Sequence, residues 1–373
     1  MMTRGLGATG FFLASVVCFS GLLRADEKPK PQYEYANILV PTATADERKL
    51  QRVSVQLASD YLDQGTLAWN GRRGCVTCHT NGTYMTARPA LTPYLGKPPE
   101  EIRTFFVNQL KEKQSTEQAK LLDGVGPAQV IYIAAGLAEW DTHVNKELST
   151  ETEQALALMF DLQLDSGTWG SEGCWPPYES SPYHLATVAA MATAMAPTVL
   201  DNLEDGEQWA AIARLKNYLR TQRPPHDYGR VLLLWTATRM SGLLDNDQKQ
   251  KLVDLIWQHQ RNDGGWSIRT FAKPESWGHG NRAEKLRSEP EFGNPPSDGH
   301  QTGLAIMVLR KAGIDAKDPR VQRGLRWLLA NQRESGRWWT RSLNTDGYHF
   351  ITYSGTAFPL LALFLCDSLP ARL

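Results

Sequence analysis

Apolar positions along this chain fall into two kinds of helical run that alternate from end to end. One kind carries an apolar stripe between charges, as at Leu252, Leu255 and Ile256, and predicts amphipathic outer helices. These cover 46–67, 99–113, 149–164, 206–222, 247–260 and 319–332. The other kind is apolar nearly all round and predicts inner helices over 84–95, 128–140, 183–196, 228–242, 299–313 and 349–366. Pro89 and Pro93 break the first of them. Short links between neighbours predict antiparallel hairpins.

Three outer runs end in one spacing, QxxxGxW: Gln163, Gly167, Trp169; Gln260, Gly264, Trp266; Gln332, Gly336, Trp338. Glycine there suits a left-handed helix stop. The tryptophan can fold back on the helix it follows, and the Gln amide can tie loop to helix end. Recurrence of the string marks a repeat protein. Six hairpins with their apolar members central predict an all-α closed ring over 46–366, an (α/α)6 toroid. An open solenoid would need polar ends, whereas the last inner run is among the most apolar in the chain. Closure makes the first and last inner helices neighbours. It also brings His79, His184, His226, His300 and His349 to one rim.

Forty basic and forty acidic side chains balance, so no basic field is present for nucleic acid. Residues 1–25 read as a signal peptide: Arg4, an apolar stretch over 11–23, and cleavage after Ala25. That stretch is short for a membrane span. The expectation is export to the periplasm or another extracytoplasmic space, with a retained N-terminal anchor as the alternative. Polar, proline-bearing residues 26–45 read as a linker. Cys75, Cys78, Cys174 and Cys366 would remain, too few for a disulfide framework.

The QxxxGxW turns on alternating helices resemble the terpene cyclase and protein prenyltransferase superfamily, and squalene cyclase-like proteins with prenyltransferase/squalene oxidase repeats in particular. The resemblance spans about 46–366. It implies a central apolar cavity and an isoprenoid-type ligand. Squalene–hopene cyclases of this kind use a DxDD acid. The nearest string here, Asp245-Asn246-Asp247, lacks the last Asp and reads as a helix cap. The prenyltransferase zinc site implies a candidate metal set of Asp298, His300 and His349, with His300 in place of the family's Cys. Helix capping by Asp298 and ordinary packing of His349 stand beside that reading.

Cys75, Cys78 and His79 form a CxxCH, the covalent haem c pattern. A Cys75–Cys78 disulfide or redox pair is the rival. Met85 sits too close to serve as distal ligand, which leaves His349 as the candidate. Haem is the first cofactor expectation and zinc the second. Candidate cavity aromatics are Trp175, Tyr183, Trp277, Trp339, Tyr348 and Tyr353, with packing the simpler role for each. The long insertion 267–296 reads as a lid or a disordered loop. Three functions remain open: a terpenoid-handling protein, a haem redox protein on a toroid scaffold, and a non-catalytic interaction module. Oligomeric state is not encoded in any of these signals.

Overall fold

The computed structural model describes residues 30–173, 175–202 and 206–370. The expected signal peptide and Cys174 lie outside the described residues.

Among the described residues, six outer helices alternate with six inner ones. The outer set is α1 Val55–Arg73, α3 Glu100–Gln114, α5 Thr150–Asp161, α7 Glu207–Thr221, α9 Asn246–Gln258 and α11 Pro319–Asn331. The inner set is α2 Asn81–Ala87, α4 Gly126–Trp140, α6 Pro182–Met195, α8 Asp227–Ala237, α10 Gly299–Lys311 and α12 Ile351–Leu365. The split follows the pattern. α11 buries Val321, Gly324, Leu325 and Leu328, a single i, i+3, i+4, i+7 stripe. α12 is buried from Ile351 through Leu363. Ser54, Ser149, Ser181, Asp245, Asp298 and Asp318 accept backbone N–H groups at helix starts. Asp245 and Gln248 complete a capping box.

Each inner helix packs on the next, and α12 packs on α2, so the ring is closed. The repeat turns show how. The Gln amide donates to its own turn and to the next outer helix: Gln163 to the carbonyls of Gly167 and Ala211, Gln260 to those of Gly264 and Arg320. Gln332 donates to Gly336 and to Ser54, at 2.8 Å each, and accepts from the Ser54 N–H at 2.7 Å. The last turn therefore clasps the first outer helix. The indole N–H of Trp169, Trp266 and Trp338 donates to the carbonyl ten residues back, at Met159, Ile256 and Leu328. These are carbonyls in the last turn of each outer helix, where helical N–H donors run out; those of Met159 and Ile256 also take the C-cap N–H, from Leu162 and His259. Gly336 has φ +83°, and a Cβ there would lie 2.4 Å from the Leu57 carbonyl carbon. Only glycine meets both demands.

Two readings of the N-terminal region need correction. Residues 30–45 are not a free linker. They hold a hairpin, β1 Tyr33–Tyr35 against β2 Ile38–Val40. Its flanking Gln32 is buried and donates to the carbonyls of Tyr348 and His349, across the seam between chain ends. The first outer helix begins at Val55 rather than 46, because residues 47–50 instead pair with the last turn. Leu50 N–H donates to Gln332 O, and Glu334 N–H to Arg48 O.

Candidate functional site

Five inner helices face the middle of the ring: Thr83 and Thr86; Tyr132, Ala135 and Glu139; His184, Val188 and Met191; Tyr228, Leu232 and Trp235; and Phe358. With Tyr178 they enclose a cavity of about 40 Å³. That holds water and is an order of magnitude below a preformed small-molecule pocket of about 300–1,000 Å³. The indole N–H of Trp235, which lines it, is buried without a hydrogen-bond partner. At the far end Arg239 and His143 pair with the buried Glu139, and Arg239 stacks on Trp235.

At the near end the polar groups form two chains. Tyr132 OH meets His184 Nε2 at 3.2 Å. Tyr228 OH meets His300 Nε2 at 3.1 Å, His300 Nδ1 meets Ser354 Oγ at 2.6 Å, and Tyr178 OH bonds the same Ser354 hydroxyl. Burial pushes the His184 and His300 imidazoles down to about 3, and raises the phenols of Tyr132, Tyr178 and Tyr228. The two chains are thus neutral at pH 7. They can hydrogen-bond a hydroxyl or carbonyl, and their rings can face a cation, but no charged group in them drives a reaction.

The insertion 267–296 is folded across this rim. Arg269 makes a two-pronged ion pair with Glu289, joined by Lys285. Arg269 and Lys285 also donate to the Ser342 carbonyl. Trp277, buried, packs against His226 at 4.7 Å and Tyr228 at 5.6 Å between ring centres. The insertion therefore seats an indole against Tyr228, one of the cavity-lining residues.

Residues 185–366 match the squalene-hopene cyclase C-terminal domain family. A squalene–hopene cyclase of Bradyrhizobium diazoefficiens is 31% identical over 163 residues, which is 39% of this chain. The chain covers 23% of that relative's length. The type II terpene cyclase MstE from Scytonema shares 11% identity, with 83% of this chain and 98% of that one covered at a TM-score of 0.45. A substituted MstE in complex with geranylgeranyl dihydroxybenzoate gives the same identity and TM-score over 84% and 99%. Over residues 185–366 the chain is thus similar to squalene–hopene cyclases, and it spans less than a quarter of that relative's length.

In this toroid the five rim histidines stand where ring closure put them, at or just before inner-helix starts. The expected metal set does not assemble. His300 faces Tyr228 and Ser354 in the ring centre. Asp298 caps α10 and takes N–H groups from Gln301 at 2.9 Å and Ile268 at 2.7 Å. His349, at a left-handed φ of +46°, accepts the Ser342 N–H on Nδ1 and packs on Trp339. No group of three His, Cys, Asp or Glu among the described residues is placed to hold a metal ion. Burial raises the Asp298 carboxyl to about 6 and lowers His349 to about 4.

Nor do Cys75, Cys78 and His79 fit a haem as packed. Cys75 is half-buried and feels Lys113 and Glu112 of α3, whereas Cys78 is buried and faces Tyr132 and Tyr178 of the ring centre. The two sulfurs look into different environments. The His79 ring is boxed by Phe350 at 4.7 Å, Trp69 at 4.8 Å and Trp175 at 6.1 Å. Burial holds it neutral, down to about 3. Cys75 and Cys78 are not joined to each other.

None of the six aromatic residues chosen from the sequence lines the central cavity. Tyr183 turns outward, its ring on Tyr218 of α7. Tyr353 faces α1 through Thr66 and the Leu62 carbonyl. Trp277 packs on His226 and Tyr228, Trp175 is exposed over His79, and Trp339 and Tyr348 line clefts on the rim. The cavity wall that was missed is legible as i, i+4, i+7 spacing: His184, Val188, Met191 and Tyr228, Leu232, Trp235.

Proposed function

We propose that this toroid binds or modifies an isoprenoid-type apolar ligand at the ring centre, without protonation-triggered cyclisation. The observation that carries the reading is the wall of Tyr132, Tyr178, Tyr228, Trp235 and Phe358 around one enclosed space, with its imidazoles neutral. Such a wall suits a hydrocarbon chain with one hydroxyl or carbonyl, and Trp235 keeps a free donor for it. Cyclisation by protonation needs an exposed acid. The chain has no DxDD string, and both oxygens of Asp298 are engaged by backbone N–H groups. At about 40 Å³ the cavity must widen to admit a ligand, and the Trp277 lid is the element whose displacement opens it. Residues 1–25 carry the expected export signal, so the reading places this activity outside the cytoplasm.

The test is a lipid extract of the purified full chain by mass spectrometry, with thermal shifts on adding farnesol or geranylgeraniol. Retained isoprenoid, or a rise in Tm lost in Trp235→Arg, supports the reading. A clean extract with no shift for either alcohol overturns it. A Soret band that survives denaturation would put covalent haem in its place.

A further inference from the structure

A second cleft of about 310 Å³ opens beside the seam, between the end of α1 and the hairpin strand β1. Its wall is aromatic: Trp69, Tyr348 and Phe350, all partly exposed. Phe350 lies near-parallel to Tyr348 at 5.2 Å and to His79 at 4.7 Å, with Trp69 edge-on to Phe350. Its edge is cationic. Lys30, Arg72 and Arg73 line it, and among the described residues none of the three makes an ion pair. Arg73 instead stands over the Trp69 ring at 5.6 Å. Glu34 is the one acid in the lining. Placement in the last turn of α1 accounts for two of the cations, which favour a helix C-terminus. It does not account for a row of partly exposed rings beneath them. The contrast lies across the rim, where Arg269, Arg337 and Arg341 are all engaged by carboxylates.

We propose that this cleft is a binding site for a planar aromatic anion, distinct from the ring centre. The ring of the ligand would extend the near-parallel series of Phe350 and Tyr348. Its carboxylate or sulfonate would meet Arg72, Arg73 and Lys30, where Arg gives two-pronged bonds. The space fits about one or two fused rings.

The probe is 2-naphthoate, titrated calorimetrically into the full chain, with 2-naphthol and inorganic phosphate as comparisons. The site predicts saturable naphthoate binding that weakens with salt, and at least about tenfold weaker binding of naphthol and of phosphate. Arg72→Ala with Arg73→Ala should weaken naphthoate about tenfold or more while leaving the circular dichroism spectrum and Tm in place. Tyr348→Leu should weaken it about threefold to tenfold. No saturable binding overturns the proposal. So does binding unchanged in the double arginine variant, which would put naphthoate elsewhere. Phosphate bound as tightly as naphthoate would reduce the cleft to a plain anion patch and also overturns it. Farnesol, which reports on the ring centre, should bind the double variant as it does the parent, so the two readings fail separately.

Discussion

The turn after α1 and the turn after α11 hold equivalent places in the ring, yet they are built from different atoms. After α11, Gln332, Gly336 and Trp338 reach three partners: their own turn, the helix behind, and the first outer helix. After α1, no Gln and no following tryptophan is present. Trp69, which precedes the turn, donates to the Cys75 carbonyl. Asn81 accepts from Thr77 N–H and donates to Asn70 and Cys75. Gly74 is left-handed too, at φ +62°, but a Cβ there would meet nothing within 4 Å. One turn bonds across to the next outer helix; the other bonds within itself and to the inner helix of the next hairpin, where Gln129 of α4 donates to the Val76 carbonyl at 3.2 Å. The difference shows that the repeat string is a device for joining adjacent outer helices, and that the CxxCH turn meets its neighbouring hairpin through other atoms.

The sharpest way to break the comparison is at the glycines. Gly336→Val should cost about 4 kcal/mol or prevent folding, since it combines a left-handed φ with a clash on backbone. Gly74→Ala should cost only about 1 kcal/mol, the conformational part alone. Urea unfolding of both measures the gap. Gln332→Leu should then cost about 2–3 kcal/mol, because a buried N–H and two carbonyls lose their partner. Gln163→Leu should cost less: its bonds, at 3.0–3.2 Å, include one from a side chain, Arg214, in place of a backbone N–H.

Acid reads the first turn. His79 sits at about 3 when folded against 6.5 for a free ring, so the unfolded chain binds the proton more readily. Its stabilising contribution is whole above pH 6.5 and is lost as pH falls toward 3. By pH 5 the loss is about 2 kcal/mol. His79→Phe should remove that share of the acid slope, measured as Tm against pH. His184, His226, His300 and His349, all depressed by burial, keep the remainder. Asp298 opposes them, since its raised carboxyl loses stability as pH climbs from 3.8 to about 6. Asn81→Ala should cost about 1–2 kcal/mol, with no effect on the seam.

Much of the fold is written in periodicity. Two helix flavours, three equal strings and an apolar last helix were enough for a closed ring, because burial of α12 leaves few other arrangements. The site was less legible. The aromatic residues nearest the turns were chosen for the cavity, yet Tyr183 and Tyr353 point to outer helices. On a helix buried on every side, proximity to a turn does not say which face looks inward. Spacing does, and Tyr228, Leu232 and Trp235 carried it. The metal set failed for a related reason. Asp298 is the extended N-cap of α10 and gives both oxygens to backbone N–H groups, while His300, inside the helix, faces Tyr228 and Ser354. The strand hairpin at 33–40 was invisible because each strand has three residues, too few for a pattern.

The claim on which everything else stands is that Gln332 holds the first outer helix across nearly the whole length of the chain. Hydrogen exchange on Gln332→Leu measures it directly. The account predicts faster exchange over residues 54–60, at the start of α1, with the start of α7 unchanged. Protection at the start of α1 equal to that of the parent protein would contradict it.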